Sequence, residues 1–363
     1  MELVRILACF VVVCCHVYLN PMADGLVDNG RTFIACCAAD GVAVFWMLSG
    51  FYMFSAFDYK KLCIRTAKKV LVPLLIVGFV SFYFGGWLFG GESIAESLSH
   101  TLEDYANILI SFLSFDIAFP HMEITWYLYV YIFVVIISPV LYSFCMWLDE
   151  DEKREKVFII ITLVMFFMND ITGNEFLEFS LHSMRGAIPA AVEIIWGHFL
   201  YKHLKKTGLN VKHALIGLAA FAGINVLRAL WQIFSWNRGD MRGEALYWHS
   251  FFGLLAASFF ILAVYSIGQC ITSERVNKAI GFLGGCTFDI YLVHGLVLLT
   301  LMARFNMDGY FQNVCRVAEG GFLCDVLYTL LMALCGFAGA LVVTLIIKAV
   351  GGCCKKVTAR SRN

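Results

Sequence analysis

Arg5-Ile-Leu-Ala-Cys-Phe-Val-Val-Val-Cys-Cys-His16-Val-Tyr-Leu19 is apolar apart from its two ionisable residues. The run Leu3 to Leu19 has the hydrophobicity of a signal peptide. It lacks a basic leader apart from Arg5, however, and Asn20-Pro21 is a poor cleavage context, so it reads as a retained membrane span. The rest of the chain has the same character. Of 363 residues, 60% are hydrophobic and 15% charged, against roughly 25% charged in soluble domains, and the deficit runs along the whole length. A bilayer core of about 30 Å takes roughly 20 apolar residues as a helix. Ten stretches meet that need: 2–20, 33–57, 70–90, 123–148, 157–170, 185–201, 214–235, 250–270, 280–303 and 323–350. The expected fold is an all-α polytopic transmembrane bundle of about ten spans over residues 1–352, followed by a short basic tail at 353–363. Segment 103–119 is less apolar and reads as interfacial or re-entrant.

Lysine placement orients the bundle. Every lysine falls in 58–69, 149–156, 201–213, 271–278 or the tail from Lys348 onward. The alternate loops hold only Arg31, Arg185, Arg238, Arg242, Arg304 and Arg316 as basic residues. Ten spans with both termini inside put all the lysines in the cytoplasm, as the positive-inside rule requires. Trp87, Trp126, Trp236 and Trp248 then fall near the outer ends of spans, where an interfacial aromatic belt belongs. The formal net charge is zero, so no basic field calls for a nucleic-acid partner.

Most of the 14 cysteines sit in apolar runs, as Cys14, Cys15, Cys36, Cys37, Cys145 and Cys335 do, and there a thiol behaves as a small apolar group. No Cys/His cluster has zinc-like spacing, so no metal is expected. Cys315 and Cys324 fall near an outer loop, where pairing is open. Ionisable residues within spans are costly in lipid and usually face a polar cavity; here they include Arg5, His16, Glu193, Arg228, Asp289 and His294. Arg228 and Glu193 suggest a buried ion pair, and His294 a structural hydrogen bond. Arg5 and His16 are eleven residues apart, about 16 Å along a helix and close to three whole turns. They therefore share one face, with the cation near the inner surface and the imidazole deep in the span or towards the outside. Histidine is the usual general base near neutral pH.

These residues carry a resemblance. Arg5, ten residues, then His16 resembles the first span of the membrane acyltransferase-3 family. Phe45-Trp-Met-Leu-Ser49-Gly50-Phe51 is similar to its Phe-Phe-x-x-Ser-Gly-Phe signature. A basic loop with Arg65, then Val72-Pro73, follows as in the family. So do Trp126-Tyr127-Leu128 with Pro139, Arg185 ahead of the span through Gly197, and the late Tyr291-Leu-Val-His294. The ordered set covers nearly the whole chain. One departure is the loop, which reads Arg65-Thr-Ala-Lys68-Lys69 in place of a clean Arg-x-x-Arg.

The resemblance implies an acyl-CoA-dependent O-acyltransferase of the bacterial cytoplasmic membrane, with acetyl-CoA as donor. Its acceptor would be an outward hydroxyl, such as a sugar of a surface polysaccharide or cell-envelope glycan. Relatives also include the membrane part of serine racemases linked to glycopeptide resistance. In that reading His16 and Arg5 are catalytic, and Arg65, Lys68 and Lys69 meet the donor's phosphates. Glu123, Trp126, Tyr127, Arg185 and Ser49 contribute to substrate binding, and Arg5, Ser49 and Tyr127 are alternative donors to the thioester oxygen. A transporter or exporter of a small molecule or glycan is the competing class, and an amino-acid-binding membrane module a third. Against transport, no inverted repeat and no matching pair of Gly/Pro-broken helices is visible.

Overall fold

The computed structural model describes residues 1–23, 26–172, 186–237 and 249–360. The described chain is almost wholly helical. α1 is Glu2–Cys15, α2 Asn29–Met53, α3 Tyr59–Thr66, α4 Val72–Phe89, α5 Ile94–Ser97, α6 Leu102–Leu113, α7 Trp126–Asp149 and α8 Glu152–Thr172. There follow α9 Ala187–Lys206, α10 Val211–Asn237, α11 Phe251–Cys270, α12 Glu274–Gly284, α13 Thr287–Phe305, α14 Met307–Val314 and α15 Phe322–Arg360. A two-stranded antiparallel ribbon, Met22–Ala23 with Leu26–Val27, lies between α1 and α2.

Seven of the described helices are long and apolar enough to cross a membrane: Asn29–Met53, Tyr59–Phe89, Glu123–Asp149, Val211–Asn237, Phe251–Cys270, Thr287–Phe305 and Phe322–Ala349. The other three expected spans are helices too, but each differs from a simple apolar span. α1 has 14 residues, about 21 Å at 1.5 Å per residue, which is short of a 30 Å core. α8 and α9 have the length, but α8 opens on Glu-Lys-Arg-Glu-Lys and α9 closes on Lys202, His203, Lys205 and Lys206. Segment 103–119 holds the exposed amphipathic α6.

Along α10 side-chain polarity is turned inside out, as a lipid surround allows. α10 leaves Leu227, Leu230 and Phe234 exposed and buries Asn225, Arg228 and Gln232 at 0% exposure. In water that pattern would be doubly costly. In a bilayer the apolar face meets hydrocarbon, and the polar stripe must find partners within the bundle. It does: Arg228 binds Asp40 of α2 at 2.6 Å and the Cys36 carbonyl at 2.9 Å, and Asn225 donates to the other Asp40 oxygen. The expected Arg228–Glu193 pair is therefore not the one formed. Asp40, 188 residues away in sequence, lies directly across the α2–α10 contact and takes the guanidinium.

Small residues bring the central helices together. A Cβ on Gly50 would run into the Ile194 carbonyl, and one on Gly197 into the backbone of Met47, so α2 and α9 cross backbone to backbone. Gly41 similarly admits Val12 and the Ala8 carbonyl of α1. Because backbone cannot move aside as a side chain can, Gly197→Ala is expected to lower stability by about 1–3 kcal/mol. Thermal unfolding in detergent measures it, and a transition unchanged from wild type would refute the close crossing.

At the lysine-rich end, Lys202 of α9 bridges Asp149 of α7 (2.6 Å) and Glu155 of α8 (2.9 Å), while His203 meets Glu155 at 2.5 Å. Burial pushes the Glu155 carboxyl up, but the hydrogen bonds from His203 and Lys202 outweigh it and hold the group below its usual range. Cys315 and Cys324 are both free thiols.

Candidate functional site

α3 and α4 form one continuous helical rod, joined by a single π-helical turn at Ala67–Leu71. The widened turn carries Lys68 and Lys69, and π-turns of this kind recur at functional sites. Together with Arg65 these side chains stand on one side of the rod and line a cavity of about 630 Å³, within the usual range for ligand sites. Arg5 reaches the same cavity from α1 and Lys348 from α15. Five cations thus gather at one end of the bundle around one lining carboxylate, Asp289, which Lys348 holds at 2.9 Å. Arg5 is also paired: its guanidinium takes both oxygens of Glu2 at 3.0 and 3.1 Å. Arg65, Lys68 and Lys69 are exposed and make no ion pair among the described residues. Three uncompensated cations on one wall suit a ligand carrying several phosphates.

Inward, the walls become aromatic. Phe45, Tyr127, Tyr131 and Tyr291 line the cavity with Ser49. Ser49 Oγ donates to the Phe45 carbonyl at 2.9 Å, so in its 3.4 Å contact with Tyr127 the phenol must be the donor. Tyr291 commits its hydroxyl to the Ile124 carbonyl at 2.8 Å. Between the hydroxyls of Tyr127 and Tyr291, that of Tyr127 is the more weakly held, a condition for a donor that is to turn towards a developing oxyanion.

His16 stands beyond the aromatic wall. It caps the C-terminus of α1 and keeps accessible surface, and its ring lies 5.3 Å from that of His294, which is buried at 0%. Arg5 and His16 both face α13, as their three-turn spacing requires: Arg5 shares the cavity with Thr287 and Tyr291, and His16 meets His294 one turn further on. His294 does more than the structural bond expected of it. A carbonyl can only accept, so the 2.5 Å contact with Tyr291 O makes Nδ1 the protonated nitrogen. That leaves Nε2 as a lone-pair acceptor beside His16, without a hydrogen-bond partner among the described residues.

The remaining expected site residues are dispersed. Trp126 packs edge-on against Tyr127 without lining the cavity. Glu123 is exposed on the 3₁₀ turn before α7, and its carboxylate bonds no described residue, His16 included. Arg185 lies outside the described residues. Among the described residues no Cys/His/carboxylate group could hold a metal ion. The structure adds Glu2, Phe45, Tyr131, Asp289, Tyr291, His294 and Lys348 to the site. Of these only the Tyr291-x-x-His294 spacing, one helical turn on one face, signalled the association in advance.

The family model described as an acyltransferase domain, of the acyltransferase-3 type, matches residues 1–349. No curated protein and no solved structure matches the chain.

Proposed function

The chain belongs to the acyltransferase-3 family and is a membrane acyltransferase, and from that premise we propose that it moves an acetyl group from cytoplasmic acetyl-CoA to a hydroxyl presented at the outer face of a bacterial cytoplasmic membrane. The observation that carries the reading is the alignment of three zones along α1 and α13: a cationic mouth, an aromatic wall and a histidine pair. In this topology all ten expected spans cross the bilayer, both termini are cytoplasmic, and the cationic mouth opens inward as the lysines require.

Arg65, Lys68 and Lys69 bind the phosphates of the donor, and Arg5, held by Glu2, fixes the near edge of the cavity. The pantetheine arm points inward with its thioester leading. His16 removes the proton of the acceptor hydroxyl as its oxygen attacks the thioester carbonyl, avoiding a protonated ether-like intermediate. Tyr127 donates to the oxyanion that forms. Collapse breaks the C–S bond, and the imidazolium of His16 returns the proton to the leaving sulfur, giving the ester and CoA thiol. His294 Nε2 accepts from His16 and steadies its charged form. Acceptors that fit this geometry are sugar hydroxyls of surface polysaccharide or cell-envelope glycan.

Purified protein in lipid nanodiscs is expected to consume acetyl-CoA in the presence of a glycan acceptor. Unchanged acetyl-CoA, together with substrate uptake into vesicles that survives His16→Ala, would identify a transporter instead. For the mouth, the triple variant Arg65→Gln, Lys68→Gln, Lys69→Gln is expected to weaken acetyl-CoA binding at least about 100-fold, since charge-assisted bonds contribute about 1.5–3 kcal/mol each. Calorimetric titration reads it. Dephospho-CoA esters, which lack one phosphate, should lose less on the same substitutions; equal losses would place that phosphate elsewhere.

A further inference from the structure

We propose that Phe45, Tyr127 and Tyr291 form a closed barrier between the donor cavity and the His16–His294 pair, and that this barrier restricts transfer to short acyl groups. The inference rests on the acyltransferase reading and adds to it how the acyl group is selected.

Three helices contribute one ring each: Phe45 from α2, Tyr127 from α7 and Tyr291 from α13. All three line the cavity, whereas neither His16 nor His294 does. Ring centroids are 5.7 Å apart for Tyr127–Tyr291 and 6.2 Å for each pair with Phe45. Those are packing distances for aromatic pairs, so the rings touch one another around a closed triangle. On its far side the chain of contacts continues at once, with Tyr291 5.5 Å from His294 and His294 5.3 Å from His16. Along α13 the triangle is what lies between the cavity and the histidine pair.

Two of the rings are anchored. Trp46 backs Tyr127 at 4.0 Å between centroids. Tyr291 is tied through its hydroxyl to Ile124 O, and α13 approaches that turn so closely that a Cβ on Gly295 would overlap the Ile124 side chain. Phe45 has no polar tie and is only half-buried. It is the ring that must turn for the thioester carbonyl to reach His16.

The acyl group is the leading end of an acyl-CoA entering from the cationic mouth. Everything beyond the carbonyl carbon has to pass the triangle first or fold back against it. Each added methylene therefore holds the carbonyl further from His16 or demands a larger displacement of packed rings. A methylene in a packed pocket discriminates by about 10–200-fold, so acetyl should be strongly favoured over butyryl. The barrier also reconciles a cavity open to one side of the membrane with a histidine accessible beyond it. Without a packed layer between them, the bundle would leak.

The experiment is a chain-length series, acetyl-, butyryl- and hexanoyl-CoA, on the full-length protein in nanodiscs, paired with a pH-gradient decay in proteoliposomes. Wild type is expected to prefer acetyl over butyryl at least about tenfold. Phe45→Ala should raise the butyryl-to-acetyl ratio of kcat/KM at least about tenfold and speed gradient decay. Phe45→Leu, which preserves an apolar side chain in case the alanine variant does not fold, should raise the ratio less. Wild type using hexanoyl-CoA as fast as acetyl-CoA would overturn the proposal. So would an unchanged ratio, or unchanged gradient decay, in a Phe45 variant that folds. If wild type transfers no acyl group from any CoA ester, the acyltransferase reading fails separately, and the gradient measurement alone decides the barrier.

Discussion

His16→Ala is expected to abolish acyl transfer while acetyl-CoA still binds with near-wild-type affinity. General-base catalysis contributes typically about 10²–10⁴-fold. The larger value is expected here, because the His294 ring is fully buried while His16 keeps accessible surface, so the neighbouring imidazole is not presented to an acceptor. Binding should survive because His16 does not line the donor cavity, whose cations lie on α1, the α3–α4 rod and α15. The measurements are single-turnover transfer and equilibrium binding on the same preparation. Turnover within a factor of a few of wild type would remove His16 as the base, and a parallel loss of donor binding would show instead that the C-terminal end of α1 shapes the cavity.

The second large effect is on stability. Arg228 and Asp40 are buried at 0% and 1% and joined at 2.6 Å. Removing one partner leaves the other uncompensated in a low-dielectric interior, a loss of about 3–5 kcal/mol. Arg228→Met alone and Asp40→Leu alone should therefore each lower the unfolding midpoint sharply. The double variant Asp40→Leu with Arg228→Met should recover most of the loss, because a buried pair can often be replaced by apolar side chains of similar volume. Asp40 adjoins Gly41, where α2 admits the backbone of α1, so the single variants should also lose acyl transfer by displacing His16. Thermal unfolding of the four proteins completes the cycle, and strictly additive losses in the double variant would refute coupling between the two side chains.

Much of the molecule was legible in one dimension. Apolar run length and the scarcity of charge point to a membrane helix bundle, since no soluble core needs them and lipid does. The spacing of Arg5 and His16 places them on a common face because a helix repeats every 3.6 residues, and both do face α13. The basic segment around Arg65 is visible as charge. Glu193 and Arg228, by contrast, look equally suited to pair in a linear reading, because both are isolated charges in apolar spans. Only the α2–α10 packing hands the guanidinium to Asp40.

Periodicity and composition are properties of a single helix, and on them the sequence by itself determined that the chain is a helical membrane protein with a cation and an imidazole on one face of its first helix. What lies opposite that face depends on which helices pack together and at what register. That is set by long-range close approaches such as Gly50 with Ile194 and Gly41 with Val12, which local pattern does not encode. The tertiary structure alone decided that His294 stands beside His16, that Lys348 joins Arg65, Lys68 and Lys69 at one cavity, and that three rings from three helices meet at its wall.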